Sequence, residues 1–175
     1  MKNDIRSNKP FSWLRSRSRA AVMVVFCIAA FVTKAAAQQP ANKPGVNELL
    51  QSYYAIKDAL VSGNNNAASA GATAFVKNIN GLSLQAISAG NVSALVKDAG
   101  AIAEAKDIKA QRQYFANFSS NMAEVAKALK LADQPVYIQY CPMIKASWLS
   151  NEKSIKNPYY GSSMLTCGKV TDTIE

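Results

Sequence analysis

Apolar side chains recur at helical spacing through the middle of the chain. Leu49, Tyr53, Ile56 and Leu60 follow one another at steps of four, three and four, on one face of a helix that starts near Val46. Gly63 and the Asn64-Asn65-Asn66 run stop it. Ala72, Phe75, Val76 and Ile79 form a second stripe that ends near Gly81. Val92, Leu95, Val96, Ala99 and Ile102 form a third, with Asn91 as the expected N-cap. The fourth and longest runs through Ile108, Phe115, Phe118, Met122, Val125 and Leu129. Asp107 at its start and Lys127 and Lys130 near its end suit the helix dipole. Strand-like alternation is absent before residue 135. Four amphipathic segments joined by short polar turns predict an all-α domain, an up-down four-helix bundle. Its many alanines and serines allow close packing but bury little area each.

The pattern changes after Pro135. Val136-Tyr137-Ile138-Gln139-Tyr140 reads as a short β segment. Beyond it lie Cys141-Pro142-Met143, Trp148-Leu149-Ser150, Asn157-Pro158-Tyr159-Tyr160-Gly161 and Met164-Leu165-Thr166-Cys167-Gly168. Asn157-Pro158 and Gly161 mark a turn. This stretch is too short to bury itself, so it is expected as an irregular Cys/Met/aromatic tail packed on the bundle. Tyr137, Tyr140, Trp148, Tyr159 and Tyr160 fit core packing better than a ligand platform. Arg112, between Gln111 and Gln113, fits either a tail anchor or a solvated face.

The N-terminus has another purpose. Lys2, Arg6, Lys9, Arg15, Arg17 and Arg19 precede an apolar run, Ala20 to Val32, and then Ala35-Ala36-Ala37. Basic, apolar and small residues in that order predict a secretory signal peptide over residues 1–37, cleaved near Ala37. The apolar run is shorter than the ~20 residues that span a bilayer. Residues 38–45 (QQPANKPG) read as a linker, and 46–175 as the domain, with 133–175 as its tail. The full chain carries 20 basic and 11 acidic side chains, +9. The leader takes seven basic residues and one acid with it, leaving thirteen against ten, or +3. That small surplus excludes nucleic acid as the expected partner. Export to the periplasm without stable membrane insertion is the expectation.

The chain has no histidine. That excludes a Ser-His-Asp triad, a Cys-His nucleophile and an HExxH zinc site within it. Gly-rich phosphate loops are absent, and the Ser119-Ser120 and Ser162-Ser163 pairs lack a usual base. The protein is therefore expected to bind rather than catalyse. The chemistry worth weighing is sulfur. Cys141-x-Met143 and Met164-x-x-Cys167 each carry a thiol and a thioether, soft ligands that select Cu(I) or Ag(I) over hard cations. If the segments meet, Cys141, Met143, Met164 and Cys167 would share one ion. The competing reading is a Cys141–Cys167 disulfide, with the methionines as gap-filling side chains.

The tail motifs Tyr140-Cys-Pro-Met143, Trp148-Leu-Ser150, Asn157-Pro-Tyr-Tyr-Gly161 and Met164-Leu-x-Cys-Gly168 resemble a bacterial domain family of unknown function. Tyr54-Ala-Ile-Lys-Asp-Ala-Leu-Val61 and Gln111-Arg112-x-x-Phe115 fit its helical part, and the likeness runs from about Val46 to Thr171. That family occurs alone in exported proteins and fused to the C-terminus of periplasmic adaptor subunits of heavy-metal efflux pumps. Its usual loop between Cys-Pro-Met and Trp-Leu-Ser is longer than Ile144-Lys145-Ala146-Ser147 here. The resemblance implies a periplasmic setting, a metal-handling context and a partner such as an efflux adaptor. A soft-metal binding or chaperone-like module is the leading expectation. A disulfide-stapled domain that recognises a protein partner, without metal, is the alternative.

Overall fold

The computed structural model describes residues 44–82, 87–129 and 134–175, all within one compact unit, Ala41–Glu175. The expected signal peptide and most of the expected linker lie outside the described residues. Four helices come first: α1 (Pro44–Ser62), α2 (Asn65–Asn80), α3 (Ala89–Glu104) and α4 (Ile108–Leu129). α1 opens on a proline, whose fixed φ and missing N–H suit a first helical position. It begins two residues before the expected Val46. Gly63, at φ 74°, turns the chain out of α1, and Asn64 donates its N–H back to Ala59 at 2.9 Å. The side chain of Asn64 then caps α2 by accepting from the Ala67 N–H at 3.0 Å.

α3 starts earlier than its sequence suggests. Ser88, not Asn91, is the N-cap, and its hydroxyl accepts from the Asn91 N–H at 3.2 Å. Both residue types can cap; the apolar stripe begins only at Val92, so periodicity alone could not see the extra turn. Asp107 caps α4, accepting from the Ala110 N–H at 2.8 Å.

The four stripes meet as their spacing requires. Leu49, Tyr53, Ile56 and Leu60 are fully buried, as are Phe75, Leu95, Ile102, Phe115, Phe118 and Met122. Small residues bring α2 against α1: a Cβ on Gly71 would lie 3.2 Å from Ile56 Cγ1 and 3.3 Å from its backbone nitrogen. Aromatic rings fill the centre, with Phe75 edge-on to Phe118 at 4.7 Å and Tyr53 stacked on both Phe115 and Phe118 at 5.6 Å. Buried Gln111 ties three helices together, its amide donating to Asn65 O at 3.0 Å, Ser69 Oγ at 2.9 Å and Ile102 O at 3.2 Å.

The C-terminal segment is not the irregular tail expected. It is a three-stranded antiparallel sheet of β1 (Val136–Cys141), β2 (Ala146–Ser150) and β3 (Lys169–Ile174), in the order β2-β1-β3. The protein is mainly helical with a real sheet at its end. Two of the strands hid for opposite reasons. β2 (ASWLS) buries Trp148, Leu149 and Ser150 in succession, so it does not alternate. β3 (KVTDTI) is exposed from Lys169 to Thr173, so its polarity reads as loop. A lysine and exposed β-branched residues are what an edge strand tolerates.

α4 packs on β2, and Tyr53 locks the layers together. Its hydroxyl accepts the Leu149 N–H at 2.9 Å and pairs with Ser119 Oγ at 2.6 Å, so one oxygen joins α1, α4 and β2. Tyr53→Phe strips the buried Leu149 N–H and Ser119 Oγ of this partner, a cost of about 2–6 kcal/mol at roughly 1–3 per group. A lowered urea midpoint with an unchanged m-value is the expected result.

A candidate dithiol site at the sheet

Cys141 is the last residue of β1, paired with Ala146 across a four-residue turn, Pro142–Lys145. Lys145 takes the left-handed conformation, φ 55°, that closes such a turn. The turn brings the backbone N–H groups of Ile144 and Met143 onto the Cys141 sulfur. Cys167 approaches from the other side. It follows a 3₁₀ turn, Gly161–Met164, and donates its N–H to Met164 O at 3.1 Å. Gly168 then leads the chain into β3 at φ 151°. A Cβ there would stand 2.8 Å from Trp148 Cη2 and 3.1 Å from Tyr140 O, so only glycine lets the backbone pass this close.

Asn157 holds the two approaches together. It is fully buried. Its amide nitrogen donates to Cys167 O at 2.8 Å, and its amide oxygen accepts the Tyr159 N–H at 2.8 Å. Its own N–H donates to Leu165 O at 2.8 Å, and its side chain also reaches the Cys141 sulfur. The outcome is a Cys141 Sγ to Cys167 Sγ distance of 3.0 Å, with both cysteines free. Cys141 is fully buried and Cys167 is partly exposed.

The two thiols differ electrostatically. Burial alone would raise the Cys141 pKa. Hydrogen bonds from Cys167, the Ile144 and Met143 amides and Asn157 outweigh it and hold the thiol below its ordinary value. Cys167 moves up instead, chiefly because its hydrogen bond to Cys141 keeps its proton, with burial adding to the shift. The first proton lost from the pair therefore leaves a thiolate on Cys141, with Cys167 as its thiol donor.

Of the four sulfur residues singled out from the sequence, the structure brings the two cysteines into contact. Met143 sits at the hairpin tip and is 65% exposed, and Met164 is partly buried on the 3₁₀ turn. No third His, Cys, Asp or Glu joins the pair among the described residues. The donor set is thus two thiols with a thioether two or three residues from each, which fits a soft ion and no hard one.

The roles of Asn157 and Gly168 were missed in the sequence. Asn-Pro read only as a turn, and nothing in the chain announces that the amide spans to both cysteines. Arg112 donates from Nη2 to Leu60 O at 2.8 Å, at the end of α1, and lies against Gly161 of the 3₁₀ turn. It therefore supports the segment leading to Cys167 by contact and a carbonyl bond. Trp148 and Tyr159 are core residues, and Tyr159 also donates to Ser147 O at 2.6 Å.

Residues 49–134 match the model of a family described as "Protein of unknown function (DUF3347)". This likeness is to a domain family of unknown function. The DUF3347 match covers most of the helical part and stops just before β1, so the sulfur-bearing sheet falls outside it. No curated protein and no solved structure matches the chain. Among the described residues, no helix is long and apolar enough to cross a membrane.

Proposed function

We propose that the protein is an exported, non-catalytic module that binds a soft monovalent ion of the Cu(I) or Ag(I) kind. It would work in the periplasm beside a heavy-metal efflux adaptor or a similar protein partner. The observation that carries this reading is the contact of two thiols, 3.0 Å apart, with no third His, Cys, Asp or Glu among the described residues. Thiolates select soft metals, and the Ile144 and Met143 amides favour the charged form at Cys141 before any ion arrives. Metal–thiolate bonds of about 2.3 Å set two sulfurs roughly 3.8–4.6 Å apart, so the pair, now at 3.0 Å, would open by roughly 0.8–1.6 Å on binding. Cys167, on a partly exposed turn, supplies that movement while Cys141 stays fixed in β1. The Met143 and Met164 thioethers, two and three residues from the thiols in sequence, would complete the shell.

The test is a titration of the reduced protein with Cu(I) against a competing chelator. The expected result is one equivalent bound, abolished by Cys141→Ser or Cys167→Ser and weakened about tenfold by Met143→Leu. Unchanged uptake in the double cysteine variant would remove the site.

The same contact favours a second reading. Closing the pair by about 1 Å gives a disulfide, and the crosslinked loop would stabilise the fold by roughly 3–4 kcal/mol. In that form the domain holds no metal and serves as a stapled interaction module.

A further inference from the structure

We propose that the Cys141–Cys167 pair exchanges electrons with small thiols and their disulfides with one fixed polarity, Cys167 being the sulfur attacked in the crosslink and Cys141 the leaving group. This rests on the crosslinking reading and is independent of metal uptake.

The geometry makes the two sulfurs unequal. Thiol–disulfide exchange needs a thiolate to approach the sulfur it attacks and a second sulfur able to leave with the electron pair. Cys167 is the partly exposed member, and Cys141 is sealed at the end of β1. The leaving position is already furnished. The Ile144 amide and the Asn157 side chain hydrogen-bond to Cys141 Sγ and not to Cys167, and the Met143 amide serves both sulfurs, so negative charge developing on Cys141 is the better received.

In the forward direction a thiolate, RS⁻, attacks Cys167 Sγ of the crosslinked protein. An R–S–S–Cys167 bond forms, the Cys141–Cys167 bond breaks, and its electron pair stays on Cys141 as thiolate. A second RS⁻ attacks the R sulfur of the adduct, releasing RSSR and the Cys167 thiolate. Two thiols have then lost two protons and two electrons, and the protein's two cysteines have gained them. In reverse, Cys167 opens RSSR and Cys141 expels RS⁻ from the mixed disulfide, restoring the crosslink.

The probes are glutathione and diamide. Protein treated with diamide should lose two hydrogens by intact mass and no longer react with a thiol label. That crosslinked protein, mixed briefly with glutathione and quenched in acid, should carry the glutathione adduct on Cys167 over Cys141 by roughly tenfold or more in peptide mapping. Separately, reduced Cys141→Ser mixed with oxidised glutathione should form its adduct, releasing one glutathione thiolate, at least about tenfold faster than reduced Cys167→Ser. Failure to lose the two hydrogens would end the crosslinking reading and this inference with it. A crosslink that forms but yields its adduct mainly on Cys141, or equally on both, would overturn the polarity alone. Uptake of Cu(I) bears on neither result.

Discussion

Above about pH 10 the protein should lose stability at about 3–4 kcal/mol per pH unit and unfold cooperatively. Three tyrosines cause this. Tyr53 is fully enclosed, Tyr159 and Tyr54 nearly so, and burial pushes all three phenols well above their ordinary range. For Tyr53 the hydrogen bonds to Ser119 and Leu149 pull the other way without reversing the effect. The sign follows from linkage. A group whose folded pKa is raised contributes stability that is complete below its unfolded pKa, about 10 for tyrosine. That contribution is lost as pH rises from there through the folded value. Between the two values each unfolded phenol releases a proton that the folded one keeps, about 1.4 kcal/mol per pH unit. A domain stable by roughly 5–15 kcal/mol then unfolds within a few pH units. The phenolate absorbance of these three rings should appear only together with the loss of helical circular dichroism. Ionisation of all seven tyrosines with the helices intact would show that the three rings are not held as described.

Asn157→Ala should be the most damaging single change at the sulfur site. It strands the Tyr159 N–H and the Cys167 carbonyl, both now served by one amide at 2.8 Å. At about 1–3 kcal/mol for each buried group left unpaired, the loss is roughly 2–6 kcal/mol. The variant also frees the Cys167 segment from Cys141. A second readout therefore accompanies the stability loss: at a temperature where the variant is still folded, Cys167 labels faster, and diamide crosslinks the pair more slowly. Asn157→Asp keeps the acceptor for Tyr159 but cannot donate to Cys167 O, and it sets a carboxylate beside the Cys141 sulfur. It should raise the Cys141 pKa, moving the pH midpoint of alkylation upward. An unchanged midpoint would take Asn157 out of the site.

The helices were legible because their signal is periodic and their burial is one-sided. Leu49, Tyr53, Ile56 and Leu60 could be placed on one face from spacing alone, and all four are fully buried. Their partner was not legible. Tyr53 reads as one more apolar position, yet its hydroxyl joins α4 to β2 across gaps of 66 and 96 residues. β3 was invisible because an exposed edge strand needs no apolar alternation. The nearness of the sulfurs could be anticipated from two matching Cys/Met segments. The difference between them could not. It comes from a four-residue turn that gives Cys141 two amides and Cys167 only one of them, and from a buried asparagine, Asn157, that also appears in the chain as a turn residue. Local pattern announces faces; contacts between distant segments emerge only when the chain is folded.

X-ray absorption at the copper edge, on reduced protein loaded with one equivalent of Cu(I), tests the central claim most directly because it reads the atoms around the ion. The account predicts a first shell of sulfur alone, with bonds of about 2.2–2.3 Å, that is lost in the Cys141→Ser, Cys167→Ser double variant. A shell dominated by oxygen or nitrogen, or one that the double variant leaves unchanged, would contradict it.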